Sequence, residues 1–195
     1  EYGRLRGGAF RRVISDPTWI KDFWSPERIG GPMLDLHVHD AHFIRLVFGM
    51  PQEVVTTGRL REGLPEFWHS QFRFADRELV VEATSGTINQ QGRAFTHAFE
   101  IHLERATLMF DFAVIGGDAK YLCAPTLLGP DGKVEHPTLC GSDPVDGFVS
   151  ELREVTDCVK EGRTSEILGT VLAQDAIRLC EKQAESLRSG AAVKI

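Results

Sequence analysis

No apolar run in the sequence approaches the roughly 20 residues needed to cross a bilayer as a helix, so no membrane span is expected. Basic charge is scarce: 22 Lys and Arg stand against 28 Asp and Glu, for a formal net charge of −6 at pH 7. That balance argues against a nucleic-acid partner, whose phosphates are met by clustered cations. The one basic cluster, Arg4, Arg6, Arg11 and Arg12, reads as the solvated face of an edge strand. Low-complexity tracts and internal repeats are missing, which sets aside disordered, fibrous and solenoid classes. Cysteine is sparse. Cys123, Cys140, Cys158 and Cys180 form no Cys-x-x-Cys pair and no zinc-ligand spacing. Cys158 and Cys180 fall in helical patterns, where a small buried thiol is the ordinary reading; reduced cysteines and a cytoplasmic setting are expected. The sequence opens Glu1-Tyr2-Gly3-Arg4 with no signal-peptide pattern and no initiator Met, as a fragment of a longer chain would.

What is present suits a globular domain. The 195 residues, 42% apolar and 26% charged, fit one domain over 1–195 with a sizeable core. Leu5 to Ile14 suggest a leading strand, broken at Asp16-Pro17. A helical pattern runs from Pro32 to Phe48, with Pro suited to the first turn and Gly49 with Pro51 as a stop. Strand-like stretches follow at Glu53–Arg61, Phe67–Ala75, Leu79–Ser85, Phe95–Leu103, Thr107–Val114 and Lys120–Ala124, separated by turn residues. Such short connections demand mostly antiparallel pairing. Helical spacing returns over Val145–Glu161 and about Ser165–Leu187, and Ala191–Ile195 can return as a short strand. The expected class is α+β: an open, predominantly antiparallel sheet with helices on one face. Strands such as Leu79-Val80-Val81 are apolar on both sides, so the other face is either available for oligomerisation or the wet face of an ordinary alternating sheet.

The chemistry concentrates in Asp35-Leu36-His37-Val38-His39-Asp40-Ala41-His42. On one helix, Asp35, His39, His42 and Leu46 form a stripe, because residues three and four apart stack. A carboxylate beside an imidazole favours its protonated form and sets which ring nitrogen faces outward. His39 so held can take a proton from a hydroxyl group, or return it; the plainer alternative is a pair that knits the helix. The Asp-x-His-x-His stretch also matches the first metal-ligand motif of amidohydrolases. Against that stand the helix-starting Gly30-Gly31-Pro32 and the lack of the repeated βα units of an eight-stranded barrel, so no metal is expected. Trp24 is a candidate to line a substrate pocket or to fill the core. His69, His97, His102 and His136 lie in strand or loop patterns and read as surface or structural residues.

The segment from Trp19 through Gly30-Gly31-Pro32-Met33-Leu34-Asp35-Leu36-His37-Val38-His39 to Gly49-Met50-Pro51 resembles the signature of the Gfo/Idh/MocA oxidoreductases. There a Trp and a Gly-Gly pair precede a helix carrying Asp-x-x-x-His. Phe148, Glu151, Gln174-Asp175-Ala176 and Ser189-Gly190 resemble the tail of the same proteins, so the likeness runs from Arg4 to Ile195 but covers only their C-terminal half. The resemblance implies a missing N-terminal Rossmann domain that binds NAD or NADP, since no Gly-x-Gly-x-x-Gly follows a strand here. A Glu-Lys-Pro lysine that assists proton transfer would belong to that domain, and no cofactor is expected on this chain alone. It also implies a sugar, inositol or other polyol substrate, His39 as the acid–base group, Asp35 as its partner, and His42 facing the substrate. A homodimer or tetramer formed through the sheet face is implied as well. The alternative class is a scaffold or binding module that keeps the fold without the redox chemistry.

Overall fold

The computed structural model describes residues 2–138 and 145–195. The chain runs β1 (Leu5–Ser15), α1 (Pro32–Asp35), α2 (His37–Phe48), β2 (Glu53–Arg61), β3 (Leu64–Arg73), β4 (Val80–Ile88), β5 (Arg93–Leu103), β6 (Thr107–Ile115), β7 (Asp118–Leu128), β8 (Val134–Glu135), α3 (Val145–Glu161), α4 (Thr170–Ser189) and β9 (Val193–Lys194). Among the described residues the strands form one open sheet in the order β8-β7-β6-β5-β1-β4-β3-β2-β9. Its β1–β4 pair is parallel; β2–β3, β3–β4, β5–β6 and β6–β7 are antiparallel, as their short connections require. The fold is α+β with a mixed sheet.

β1 is not the edge strand expected from its arginines; it lies between β4 and β5. The period-two alternation of a strand divides them. Phe10 and Arg12 face the helices, where both are buried, while Arg11 faces the opposite way and meets Asp111 at 2.6 Å. Arg4 and Arg6 lie at the solvated end of the strand, paired with Glu104 and Glu78.

α1, α2 and α4 cover the half of the sheet formed by β1 to β4. Pro32 opens α1 after Gly31, which sits at φ 70°, a conformation that favours glycine. One part of the core joins Ile44 to Phe10, Val54, Phe72, Val81 and Ile101. Another joins Met33, Ala41 and Trp68 to Ala176, Leu179 and Cys180 of α4. β9 covers β2 only at Glu53 and Val54. Just beyond, the Thr56 N–H would lack a strand partner; it donates instead to Ser186 Oγ of α4 at 2.9 Å. Cys158 and Cys180 are buried free thiols, as expected, and Cys140 lies outside the described residues. α3 is amphipathic, yet its Phe148, Leu152, Val155 and Val159 are exposed rather than packed on the sheet.

The face away from the helices is more polar than its sequence suggested. It carries the Arg11–Asp111 pair, Glu82 beside His69, and Glu100 beside His102. No described helix is long and apolar enough to cross a membrane.

Ile44 is fully buried beneath α2, whereas Val80 is 59% exposed. Ile44→Ala should therefore cost about 3 kcal/mol, the range for a truncated core side chain, and Val80→Ala less than about 0.5 kcal/mol. Urea unfolding of the two variants measures the contrast, and equal costs would contradict the packing of α2.

Candidate active site

The single helix expected over Pro32–Phe48 is two. Leu36, at φ −113° and ψ −55°, separates α1 from α2. At this break His37 turns into the core. Its Nδ1 lies 2.8 Å from Ser85 Oγ on β4, and its ring meets Trp68 edge-on with centroids 5.5 Å apart. Its Nε2 and the side-chain oxygen of Gln183 are both buried with no hydrogen bond of ordinary geometry. Burial pushes His37 down to about 4, outweighing the carboxylate of Asp40, 3.8 Å away.

Asp40 lies one turn further along α2 and is almost wholly buried. Arg12 reaches it with two hydrogen bonds, Nε to Oδ2 at 2.7 Å and Nη2 to Oδ1 at 3.0 Å. Asp40 Oδ1 also lies 3.7 Å from Nε2 of His97, which is the cross-strand neighbour of Arg12 on β5. His97 is pushed down to about 4, chiefly by burial and then by Arg12, with Asp40 acting the other way. A buried carboxylate between a guanidinium and two imidazoles was not read from the sequence. The available signal was Arg12 itself, an arginine on the inward alternation of a strand, which must find a buried counter-charge.

Asp35 and His39 are both exposed, at the end of α1 and the start of α2. No hydrogen bond or ion pair joins them among the described residues, because the break at Leu36 interrupts the stacking that a continuous helix would impose. Asp35 still raises the proton affinity of His39, but burial first and Arg12 second lower it, and the net direction is down. His42, half-buried one turn on, lowers it further. His39 is thus weighted towards its neutral form, able to accept a proton.

Trp24 is half-buried and held on two sides. Its indole N–H donates to Asp16 Oδ1 at 3.0 Å, and the Arg61 guanidinium stacks over the ring at 4.4 Å while meeting Asp16 at 2.6 Å. A cleft of about 610 Å³ opens here, lined by Asp16, Thr18, Trp24, Arg61 and Glu62. A Cβ added at Gly31 would lie 3.6 Å from the Trp24 ring, so Trp24 stands beside the residue that launches α1. His37 in the core and His39 on the surface do not converge, and the sheet is not a β/α barrel, which removes the geometry an amidohydrolase metal site needs. Among the described residues no three His, Cys, Asp or Glu side chains group as metal ligands.

Residues 1–109 match the model of the GFO/IDH/MocA C-terminal domain. No curated protein sequence matches the chain. Among solved structures, the whole chain is similar to part of a levoglucosan dehydrogenase, in complex with NADH and levoglucosan, at a TM-score of 0.75 and 16% identity. A UDP-N-acetylglucosamine 3-dehydrogenase from Acidithiobacillus ferrooxidans gives a TM-score of 0.69 and 12% identity over 96% of the chain. At such identities the likeness is one of fold. The chain spans 59% of the first of these proteins and 55% of the second.

His37 and the partly buried His97 bind a proton more weakly folded than unfolded, where the ordinary value is 6.5. Between pH 6.5 and about 4 the unfolded chain therefore holds more protons, so stability is complete above that window and falls as the pH drops through it. The slope should be on the order of 1 kcal/mol per pH unit for each histidine. Urea unfolding at pH 7.5, 6 and 5 measures it, His37→Gln should remove part of it, and a flat profile would refute the neutral assignments.

Proposed function

Because the chain belongs to the GFO/IDH/MocA C-terminal domain family, we propose that it is the substrate-side domain, residues 1–195, of an NAD(P)-dependent oxidoreductase acting on a sugar, inositol or related polyol. The reading is carried by Asp35 and His39 at the exposed junction of α1 and α2, with His39 weighted towards its neutral form. A neutral imidazole accepts the proton of a substrate hydroxyl and returns it in the reverse direction. Asp35 supports the imidazolium that forms, through space rather than through a hydrogen bond. His42 and Trp24 would line the wall beside them. The similar structures with bound NADH and with sugar-based names are consistent with this substrate class.

The residues of this chain do not fit a dinucleotide. No Gly-x-Gly-x-x-Gly follows β1 or any other strand, and no long helix opens from such a turn. NAD or NADP, the hydride acceptor for the same carbon, would sit on an N-terminal Rossmann domain outside this chain. The exposed apolar stripe of α3 is surface that a further domain or subunit would cover. The far face of the sheet supports subunit pairing into a dimer or tetramer: Arg11 Nε and Asp111 Oδ1 are buried there with no partner, a cost that a facing polar surface would offset.

In the full-length enzyme, His39→Ala should lower turnover of a sugar substrate by about 100-fold or more, the contribution of a lost general acid–base. Asp35→Asn should cost less, since no direct bond is broken. Steady-state kinetics with NAD and NADP tests this, and unchanged turnover in His39→Ala would instead favour a non-catalytic module.

A further inference from the structure

The carboxylate–imidazole contact sought at Asp35 and His39 is found, by position, elsewhere: between Asp40 and His97. His97 differs from His37 in reaching the surface, with 28% of its side chain exposed. Packing registers it with His39. Phe43 of α2 meets Phe99 of β5 with ring centroids 5.4 Å apart, and Asp40 meets His97, so α2 runs along β5 in the same sense. One helical turn back from Phe43 is His39, and two residues back from Phe99 on the same strand face is His97, both displacements of about 5–7 Å. These matching displacements bring the two imidazoles to the same side of the α2–β5 contact, and His39 acts on the charge of His97.

The surroundings decide what His97 can do. Arg12, Asp40 and His39 are the charged and titratable groups that act on it from β1 and α2, and β6 contributes the Phe110 ring at 5.5 Å. Burial first and Arg12 second lower the proton affinity of His97, and Asp40, already met by the two-bonded Arg12, does not outweigh them. What remains is direction: Nε2 faces Asp40, which favours a hydrogen on that nitrogen, and Nδ1 has no hydrogen bond among the described residues. Arg45 is likewise met by Asp175 at 2.7 Å. Asp35 is the charged side chain of α1 and α2 that has no ion pair among the described residues, so this wall repels anions.

We propose that His97 is a specificity-determining residue of the same site, offering Nδ1 as a fixed hydrogen-bond acceptor to a hydroxyl group of an uncharged cyclic sugar or polyol. The inference rests on the functional reading above and narrows it. The Phe99 and Phe110 rings flanking His97 supply an apolar surface for the C–H face of such a ring. Among the described residues, α1 and α2 present no uncompensated cation to a sugar acid or sugar phosphate.

Two measurements test it. Long-range 1H–15N spectra of the 195-residue chain should show His97 neutral down to about pH 5 with its hydrogen on Nε2; a hydrogen on Nδ1, or protonation near 6.5, would overturn the proposal whatever the substrate. In the full-length enzyme, levoglucosan, glucose, myo-inositol and glucuronate serve as probes. With the best neutral probe, His97→Leu should raise KM about five- to tenfold, the loss of one neutral hydrogen bond, with kcat changed less than threefold. His97→Gln, which keeps an acceptor, should recover most of that loss. A normal KM in His97→Leu alongside inactivity of His39→Ala defeats this inference alone. Preference for glucuronate defeats its charge argument. Full activity in His39→Ala, or no oxidation of any probe, defeats the underlying functional reading, and the sugar contact of His97 falls with it.

Discussion

The two-bonded contact between Arg12 and Asp40 is the constraint on which the rest of the site depends. Removing a guanidinium and a carboxylate from water costs several kcal/mol per ion, and only close, well-directed hydrogen bonds offset that cost. Such a pair tolerates little sliding. It therefore sets one position of α2 along the central strand, where apolar contacts alone would accept several. Once Asp40 is over Arg12, His37 must point down into the sheet and His39 must point out.

A division of roles among the histidines follows from that placement. His37 is packed against Ser85 and Trp68 and links α2 to the sheet through uncharged contacts. His97 lies at the margin of the covered half of the sheet, and His39 on the open surface. For all three, burial is the largest influence on the proton affinity and the net direction is down. Arg12 acts in the same direction as burial on each of them. The cluster delivers neutral imidazoles at neutral pH, which suits proton exchange with hydroxyl groups and contact with uncharged ligands.

Much of this architecture was legible before any coordinates. The β-branched run in Glu53–Arg61 and the helical spacing of Val145–Glu161 located β2 and α3, because strand propensity and helix period are local properties of the chain. Gly49 and Pro51 marked the end of α2 for the same reason. Arg12 was taken for a solvated residue, and His97 was read only as surface or structural, since neither reveals its partner in its own neighbourhood: Asp40 lies 28 residues from Arg12, and more than twice as far from His97. The continuity assumed through Leu36 failed because propensity is outweighed there by the burial of His37 against β4.

By itself, the order of residues determined the element types, the α+β class, the likeness to an oxidoreductase domain family and the short stretch in which chemistry concentrates. All of these depend on spacing within a few residues or on a contiguous motif. Only the tertiary structure decided which carboxylate meets which imidazole, which strand is central and which side chains lose their water. Those outcomes depend on contacts between residues distant along the chain, where desolvation and counter-charge act together.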